Sequence, residues 1–516
     1  MYFQARTLIS KRVIRINRRY GGIRQRGRCA ALSLWIAASC LTASVSANGP
    51  GISVYDAVSV ESSVTLHTEF LTEVKGPESA AGAIWRQACA MTDAQKRNPA
   101  DIEQAELFAE AAVAEAAGKQ TVSPVIAAAQ SLKNAVLNAN APTTIRVSAE
   151  TISTAVEKAG AIRDRATQAL TENGIAPRRK IASTAVIETT ASAFTLILHS
   201  DILDTAAEKI RVTKTNAPEF SITFRPDDFR EELRPDPEKP EPRTLAIAVQ
   251  LSAEECEPGT DVPIPKVKID VPGGQLSAPI TLSFPPGSNE PSALAVTGAT
   301  GEAAVSKYNP ASRTLDARLD SSDVYTFGKR NVYFTDLLEK DRKVRLAVEA
   351  LARVNVVYGY ADHTFRPEQA VTRAEFVAFV MRTLGRVNNS LKSPFVDVTE
   401  THGCYHEIAS AYYYGIIKGY DAENFCGEKL ITKTQIYTIL GRILEREMGY
   451  WTPENPGEYL SGEFTDTVDE WAWPEVALAT REGLVIRQST GTFDGQRMMN
   501  RGDVALIIYG LYQRLA

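Results

Sequence analysis

From Tyr333 to its end the sequence repeats one pattern three times, and this repetition restricts the fold more than any other feature. Each unit opens on an aromatic-x-Asp motif: Phe334 with Asp336, Phe395 with Asp397, and Phe464 with Asp466. A helix-like stretch follows and ends in Asn355-Val-Val-Tyr-Gly-Tyr360, Gly415-Ile-Ile-Lys-Gly-Tyr420 or Gly483-Leu-Val-Ile-Arg-Gln488. A loop then closes on Phe365, Phe425 or Phe493, and seven residues later a second apolar helix starts at Thr372, Thr432 or Asn500. The opening phenylalanine precedes that start by 38, 37 and 36 residues. The extra length between units two and three falls in 451–463. Repeats in such close register are supersecondary units that bury their apolar faces against one another.

Local chemistry explains part of each motif. Thr372 with Glu375 and Thr432 with Gln435 have capping-box spacing, and Asn500 with Asp503 places a similar pair in unit three. Gly359 and Gly419 permit a sharp turn ahead of the loop. These threonines, acids and phenylalanines are read first as fold maintenance. Arg373, Lys433 and Arg501 differ: no cap needs them, and they stand where a helix N-terminus favours an anion.

The stretch from Gly359 through His363, Phe365, Arg366, Pro367 and Thr372 to Glu375 resembles the S-layer homology (SLH) family, as does Glu470-Trp-Ala-Trp-Pro-Glu-Val476 in unit three. The resemblance covers the last third of the chain, with repeats at 331–392, 393–450 and 462–516. It implies an all-α, pseudo-threefold helical spindle with grooves between units. It also implies that those grooves bind secondary cell wall polysaccharide, commonly through a pyruvylated sugar whose carboxylate meets the basic residue. On that basis Arg373, Arg501 and Lys433, with Asp336, Asp397, Asp466, Trp471, Gly359 and Gly419, are the candidate polysaccharide-binding residues. The sequence departs from the pattern in places. Unit two has Lys433 and Gln435, units one and two lack the tryptophan, and Arg487 replaces the glycine in unit three. Lysine gives up the planar fork of arginine, which ranks the Arg373 and Arg501 sites above the Lys433 site.

The 516 residues exceed one ordinary domain. The net charge of -5 gives no reason to expect a nucleic acid partner. Basic residues crowd positions 11–28, an apolar run covers 30–39, and small residues lead to Ala47. This is the layout of a secretory signal peptide, residues 1–47, cleaved after Ala47 and leaving no membrane attachment. An uncleaved anchor and lipidation of Cys40 are the rival readings. Residues 48–178 are rich in helix formers, with helices expected after Ser123 and Ser148. Residues 179–330 carry short β-rich runs such as 194–198, 220–224, 245–249 and 280–284, separated by Pro/Gly turns, with a Pro-rich link at 234–243. The expected fold is therefore multidomain: a mainly α N-terminal region, a central all-β sandwich-like region, and the all-α triplet.

Cys404 and Cys426 are the local pair for a disulfide, with Cys89 and Cys256 elsewhere in the mature chain. His402, Cys404 and His406 are a short cluster for zinc, and pairing or packing of Cys404 is preferred. The chain has no nucleophile elbow, phosphate loop or metalloprotease motif. The sequence-based expectation is a non-enzymatic surface component without cofactor, anchored to the wall and with self-association in a surface layer as a further partner. The alternative is an SLH-anchored exo-enzyme acting on wall or extracellular polysaccharide through residues 48–330. On export, mature protein is expected to begin at Asn48. N-terminal sequencing of surface material checks this, and a lipid-bearing Cys40 terminus would overturn it.

Overall fold

The computed structural model describes residues 80–116, 119–121 and 143–515, except 190, 192, 215–216, 235–242, 257–262, 287–292, 310–311 and 339. The expected signal segment, the helix expected after Ser123 and most of the 234–243 link lie outside the described residues. Residues 78–516 form one compact body.

Among the described residues three helices open it: α1 (Ala80–Ala90), α2 (Pro99–Ala116) and α3 (Ala149–Glu172). Ser148 caps α3 by accepting from the Thr151 amide, and Gly174 follows its end at φ +77°. Ile152, Ala155, Ala159, Ala166 and Leu170 are buried, as their helical spacing requires.

Fourteen strands follow or intervene among the described residues. They are β1 (Lys119–Thr121), β2 (Thr143–Val147), β3 (Thr184–Thr189), β4 (Ala193–His199), β5 (Lys209–Lys214), β6 (Ala217–Phe224) and β7 (Thr244–Cys256), then β8 (Pro263–Asp270), β9 (Gln275–Phe284), β10 (Leu294–Thr297), β11 (Ala303–Ala304), β12 (Ser306–Asn309), β13 (Thr314–Ser321) and β14 (Asp323–Lys329). One sheet runs β1-β3-β5-β6-β9-β13-β12 and the other β11-β10-β14-β8-β7-β4-β2. Both contribute to one core, through residues such as Leu196, Ile222, Ile247 and Leu282. Most neighbouring strands are antiparallel, but β1–β3, β2–β4 and β3–β5 are parallel. The N-terminal region is thus not helical alone: it lends β1 and β2 to the two sheets. Parallel partners need a long crossover, and α3 lies between β2 and β4.

The last third is helical: α4 (Arg342–Arg353), α5 (Arg373–Leu384), α6 (Tyr405–Tyr413), α7 (Lys433–Arg446), α8 (Pro456–Glu463), α9 (Trp473–Arg481) and α10 (Arg501–Arg514). Thr372 and Thr432 complete reciprocal capping boxes with Glu375 and Gln435. Asn500 accepts from the Asp503 amide, while the Asp503 carboxylate pairs with Arg497 at 2.8 Å. Asn355, Gly415 and Gly483 follow α4, α6 and α9 at φ +58°, +69° and +69°, so Asn355 does a glycine's work in unit one. The repeats have a core of their own, distinct from that of the sheets. Single β-bridges join Thr372 to Leu430, Thr432 to Met498, and Ala370 to Asn500. The contacts therefore run from unit one to two, two to three, and three back to one.

The second helices of the repeats, α5, α7 and α10, end against the sheets. A cation from the sheet region meets each C-terminus. Arg318 Nε donates to Leu384 O at 2.8 Å, Arg225 Nη1 to Glu447 O at 2.8 Å, and Lys307 Nζ to Gln513 O at 2.7 Å. Free carbonyls and the helix dipole favour positive charge there. Around the second of these, Arg225 grips Asp228 at 2.8 Å and Glu447 at 3.3 Å, and Arg386 pairs with both acids. Burial raises the Asp228 carboxyl, but Arg225, with Arg386 and Arg318, outweighs it and holds the group below its ordinary value. Its contribution to stability is therefore present above the unfolded carboxyl pKa and lost as pH falls through the lower folded one. Glu447→Ala is expected to lower stability by about 1–3 kcal/mol, because it removes one of the two acids shared by the buried Arg386 and the half-buried Arg225 and leaves both guanidiniums on Asp228 alone. Urea unfolding of the full chain measures the loss, and a change below about 1 kcal/mol would show that the network is replaceable.

Candidate functional site

Each repeat builds the same loop. The opening and loop phenylalanines pack with ring centroids 5.7, 5.5 and 5.3 Å apart (Phe334–Phe365, Phe395–Phe425, Phe464–Phe493). The aspartate two residues after the opening phenylalanine accepts two backbone amides. Asp336 takes those of Phe365 and Arg366 at 2.9 and 2.7 Å, and Asp397 those of Phe425 and Cys426 at 2.8 and 2.7 Å. Asp466 takes those of Phe493 and Asp494 at 2.5 and 2.7 Å. Charge-assisted bonds of this kind hold the following residue in the left-handed region: Arg366 at φ +57°, Cys426 at +57° and Asp494 at +53°. The three aspartates thus each spend both oxygens on their own loop.

Gly359 and Gly419 are needed for close approach rather than for a positive φ. A Cβ on Gly359 would stand 2.2 Å from the Phe334 ring, and one on Gly419 would stand 2.2 Å from Asp421 O. In unit three Arg487 occupies the corresponding place, lies 5.6 Å from the Phe464 ring centroid and pairs with Glu463.

The basic residue that opens each second helix reaches into the next repeat. Arg373 Nη2 donates to Lys418 O at 2.8 Å, with its guanidinium 4.7 Å from the Phe425 ring centroid. Lys433 Nζ donates to Ile486 O at 2.9 Å and lies 5.0 Å from the Phe493 ring centroid. Arg501 closes the cycle onto unit one. Its Nε donates to Phe365 O at 2.9 Å, its Nη2 to Tyr358 O at 2.7 Å, and it stands 4.5 Å from the Phe365 ring centroid. The three are 9%, 1% and 4% exposed, so they are buried clasps and not free surface charges. Their environments differ. Arg501 has Glu375 at 3.8 Å. Arg373 keeps a buried Nε without a hydrogen-bond partner, and burial together with Arg442 lowers its guanidinium to about 10. Burial likewise lowers Lys433, against the pull of Asp494, Asp466 and Asp503.

Trp471 is 59% exposed in the turn before α9 and presents an open indole face, whereas Trp473 is held by a bond from Nε1 to Val468 O at 2.9 Å. Cys404 and Cys426 are unpaired thiols, and burial pushes Cys404 up to about 11. His402 is taken up locally: Nδ1 accepts from the Cys404 amide at 3.0 Å and Nε2 faces Glu428 at 3.3 Å. Among the described residues no group of three or more His, Cys, Asp or Glu side chains is arranged for a metal. Sequence reasoning missed Arg366, Cys426 and Asp494, although their fixed place directly after the loop phenylalanine marks them. It also missed the carbonyls of Tyr358, Lys418 and Ile486, which carry no side-chain signal.

Comparison with known proteins agrees with this geometry. Residues 333–377, 394–435 and 463–505 each match the S-layer homology domain family, so the chain carries three tandem SLH domains. It is 31% identical over 188 residues to exoglucanase XynX of Acetivibrio thermocellus, covering 36% of this chain and 17% of the relative. It is 30% identical over 210 residues to the amylopullulanase of Thermoanaerobacterium thermosulfurigenes, covering 40% and 11%. It is also 30% identical over 190 residues to the cellulosome-anchoring protein of Acetivibrio thermocellus, covering 36% and 39%. The chain thus spans less than a fifth of the two enzymes and about two fifths of the anchoring protein. SLH domains imply anchoring to a cell wall and a cell-surface location. No helix among the described residues is long and apolar enough to cross a membrane. The expectation that the chain is not an enzyme is corrected: relatives named exoglucanase and amylopullulanase put carbohydrate-degrading activity among the functions found with this anchor. A catalytic signature is a three-dimensional arrangement, and its absence as a short motif never excluded one.

The loop geometry gives a direct test. Asp397→Ala releases the Phe425 and Cys426 amides and is expected to cost about 1–3 kcal/mol, with Asp397→Asn costing less. Denaturant midpoints of the full chain read this out. An unchanged midpoint for Asp397→Ala would mean that the loop holds its shape without the carboxylate.

Proposed function

We propose that the chain is a cell-surface protein whose SLH domains hold secondary cell wall polysaccharide through pyruvylated, anionic sugars, and whose residues before 331 act on polysaccharide. The observation that carries the anchoring half is the threefold set of buried cations at helix N-termini, each facing a loop of the next repeat. The cycle of inter-repeat bridges supports a pseudo-threefold spindle with a groove at each junction. Arg373, Arg501 and Lys433 meet the ligand, the two arginines more strongly because an arginine fork matches a carboxylate. Asp336, Asp397 and Asp466 shape the loops, Gly359 and Gly419 let them close, and Trp471 offers a face for a sugar ring. The sheets meet the C-termini of α5, α7 and α10, at the opposite ends of these helices from the cations. That polarity suits a module carried outward from the wall.

Action on polysaccharide is supported by the names of the exoglucanase and amylopullulanase relatives. A second reading, that the outer module holds another protein, is favoured by the cellulosome-anchoring relative. The test uses the full chain. It is expected to pellet with purified wall sacculi, and removal of pyruvate ketals by mild acid is expected to weaken binding roughly ten- to a hundredfold, the value of one charge-assisted contact. Equal binding to both preparations would overturn the anionic-sugar reading. Release of reducing ends from wall and storage polysaccharides supports the enzymatic reading. Absence of release, with capture of a defined protein partner, supports the second.

A further inference from the structure

The three inter-repeat sites share one backbone and differ in charge. We infer that the site between repeats one and two, built on Arg373, is the one that takes an anionic sugar substituent, and that the residue after each loop phenylalanine decides which charge a site accepts. This rests on the wall-binding reading of the repeats and assigns that role unequally among them.

Arg366, Cys426 and Asp494 occupy the same place in the three loops. All three are left-handed, and each has its amide tied to the loop aspartate. Each also lies near the basic residue reaching in from the preceding repeat: Arg366 near Arg501, Cys426 near Arg373, and Asp494 near Lys433. The position therefore carries an arginine, a cysteine and an aspartate in turn.

The site of Arg501 is already compensated. Both Nε and Nη2 are spent on carbonyls, Glu375 lies 3.8 Å away, and Arg366 is itself paired with Asp362 at 3.1 Å. Around the Lys433 ammonium, which is 1% exposed, Arg497 acts together with three aspartates, Asp494, Asp466 and Asp503, of which Asp503 is paired with Arg497 at 2.8 Å. An incoming carboxylate would meet Asp494. The site of Arg373 has neither compensation. The side chain is about nine-tenths buried, one nitrogen meets Lys418 O, and Nε has no partner. No carboxylate among the described residues pairs with it, and its charged neighbour is Arg442, which leans on Glu475 at 3.3 Å. A buried cation without a counter-charge is costly, and a bound anion relieves that cost. The N-terminus of the twelve-residue helix α5 adds to the attraction. The loop also brings Lys429, whose backbone oxygen accepts the Arg373 amide at 2.8 Å and whose ammonium stands 3.7 Å from the Tyr420 ring centroid.

The test changes charge at Cys426 and leaves the Arg373 clasp alone. Cys426→Asp carries the charge of the third site into the second, and Cys426→Asn carries its shape without the charge. Both residues tolerate the left-handed region, and Asp494 already adopts it. The probe is a glycoside bearing a pyruvate ketal, with its ketal-free parent as control, titrated into the full chain. Cys426→Asp is expected to bind the ketal at least tenfold more weakly than Cys426→Asn, with no difference between the two for the parent. A second route avoids refolding. On the folded chain, the Cys426 thiolate displaces iodide from iodoacetate or iodoacetamide, forming a C–S bond that leaves a charged or a neutral adduct. Peptide mapping confirms the site, and Cys404 reacts slowly because burial raises its thiol. The charged adduct is expected to bind the ketal at least tenfold more weakly than the neutral one. Equal binding within twofold in both comparisons, with the unmodified chain binding the ketal, would overturn this inference and leave wall anchoring standing. Failure of the unmodified chain to bind both the ketal and wall sacculi would overturn the anchoring reading itself.

Discussion

The repeats depend on one contact made three times: the cation that opens each second helix donates to a carbonyl of the next repeat and lies against its buried phenylalanine. Because the third such contact returns to the first repeat, each repeat is both donor and acceptor in a closed cycle. Removing any one clasp leaves a buried carbonyl and a ring without their partner, so the units share their stability. The same contact puts positive charge at three helix N-termini, where the backbone already favours an anion. In the proposed function, structure and binding chemistry use the same side chains, so substitution of these cations is expected to act on both. The Asp-bound loops complete the arrangement by fixing where the phenylalanine and the residue after it stand.

The opposite ends of the same helices explain why the sheets are not a loose appendage. The C-termini of α5, α7 and α10 leave carbonyls that need donors, and Arg318, Arg225 and Lys307 supply them. Arg386, Asp228 and Glu447 surround the middle contact: Arg225–Asp228 pairs within the sheet region, Arg386–Glu447 within the repeats, and Arg225–Glu447 and Arg386–Asp228 cross between them. The two hydrophobic cores are distinct, with Val305 of the sheet region packed into that of the repeats, and the contacts at the helix ends that join them are polar and directional. Polar interfaces of this sort fix orientation more than they add stability. A rigid orientation suits a protein that is held at one end and presents the other.

The relatives share this anchor with proteins of different trades, and the chain covers only a minor part of each. The anchor therefore says where the chain is held and leaves open what it does there. The non-enzymatic expectation failed for that reason: it treated the lack of a short catalytic motif as information, whereas carboxylate pairs come together only in the folded chain.

Much of the fold was legible because it is written in local pattern. The threefold register, the capping pairs at Thr372 and Thr432, the helix after Ser148, and strands such as β4, β6 and β9 follow from spacing, end signals and alternation. The sequence by itself therefore determined the elements, the repeat and the residue types at each junction. It did not determine that β1 and β2 would join sheets built mostly by later residues, because parallel pairing is a long-range choice. Nor did it determine that Arg373, Lys433 and Arg501 would be buried on carbonyls, since a backbone acceptor in another repeat has no residue code. Their unequal surroundings came from tertiary structure alone. Only folding brings Cys426 beside Arg373 and Asp494 beside Lys433, where burial makes the charge of a single neighbour matter.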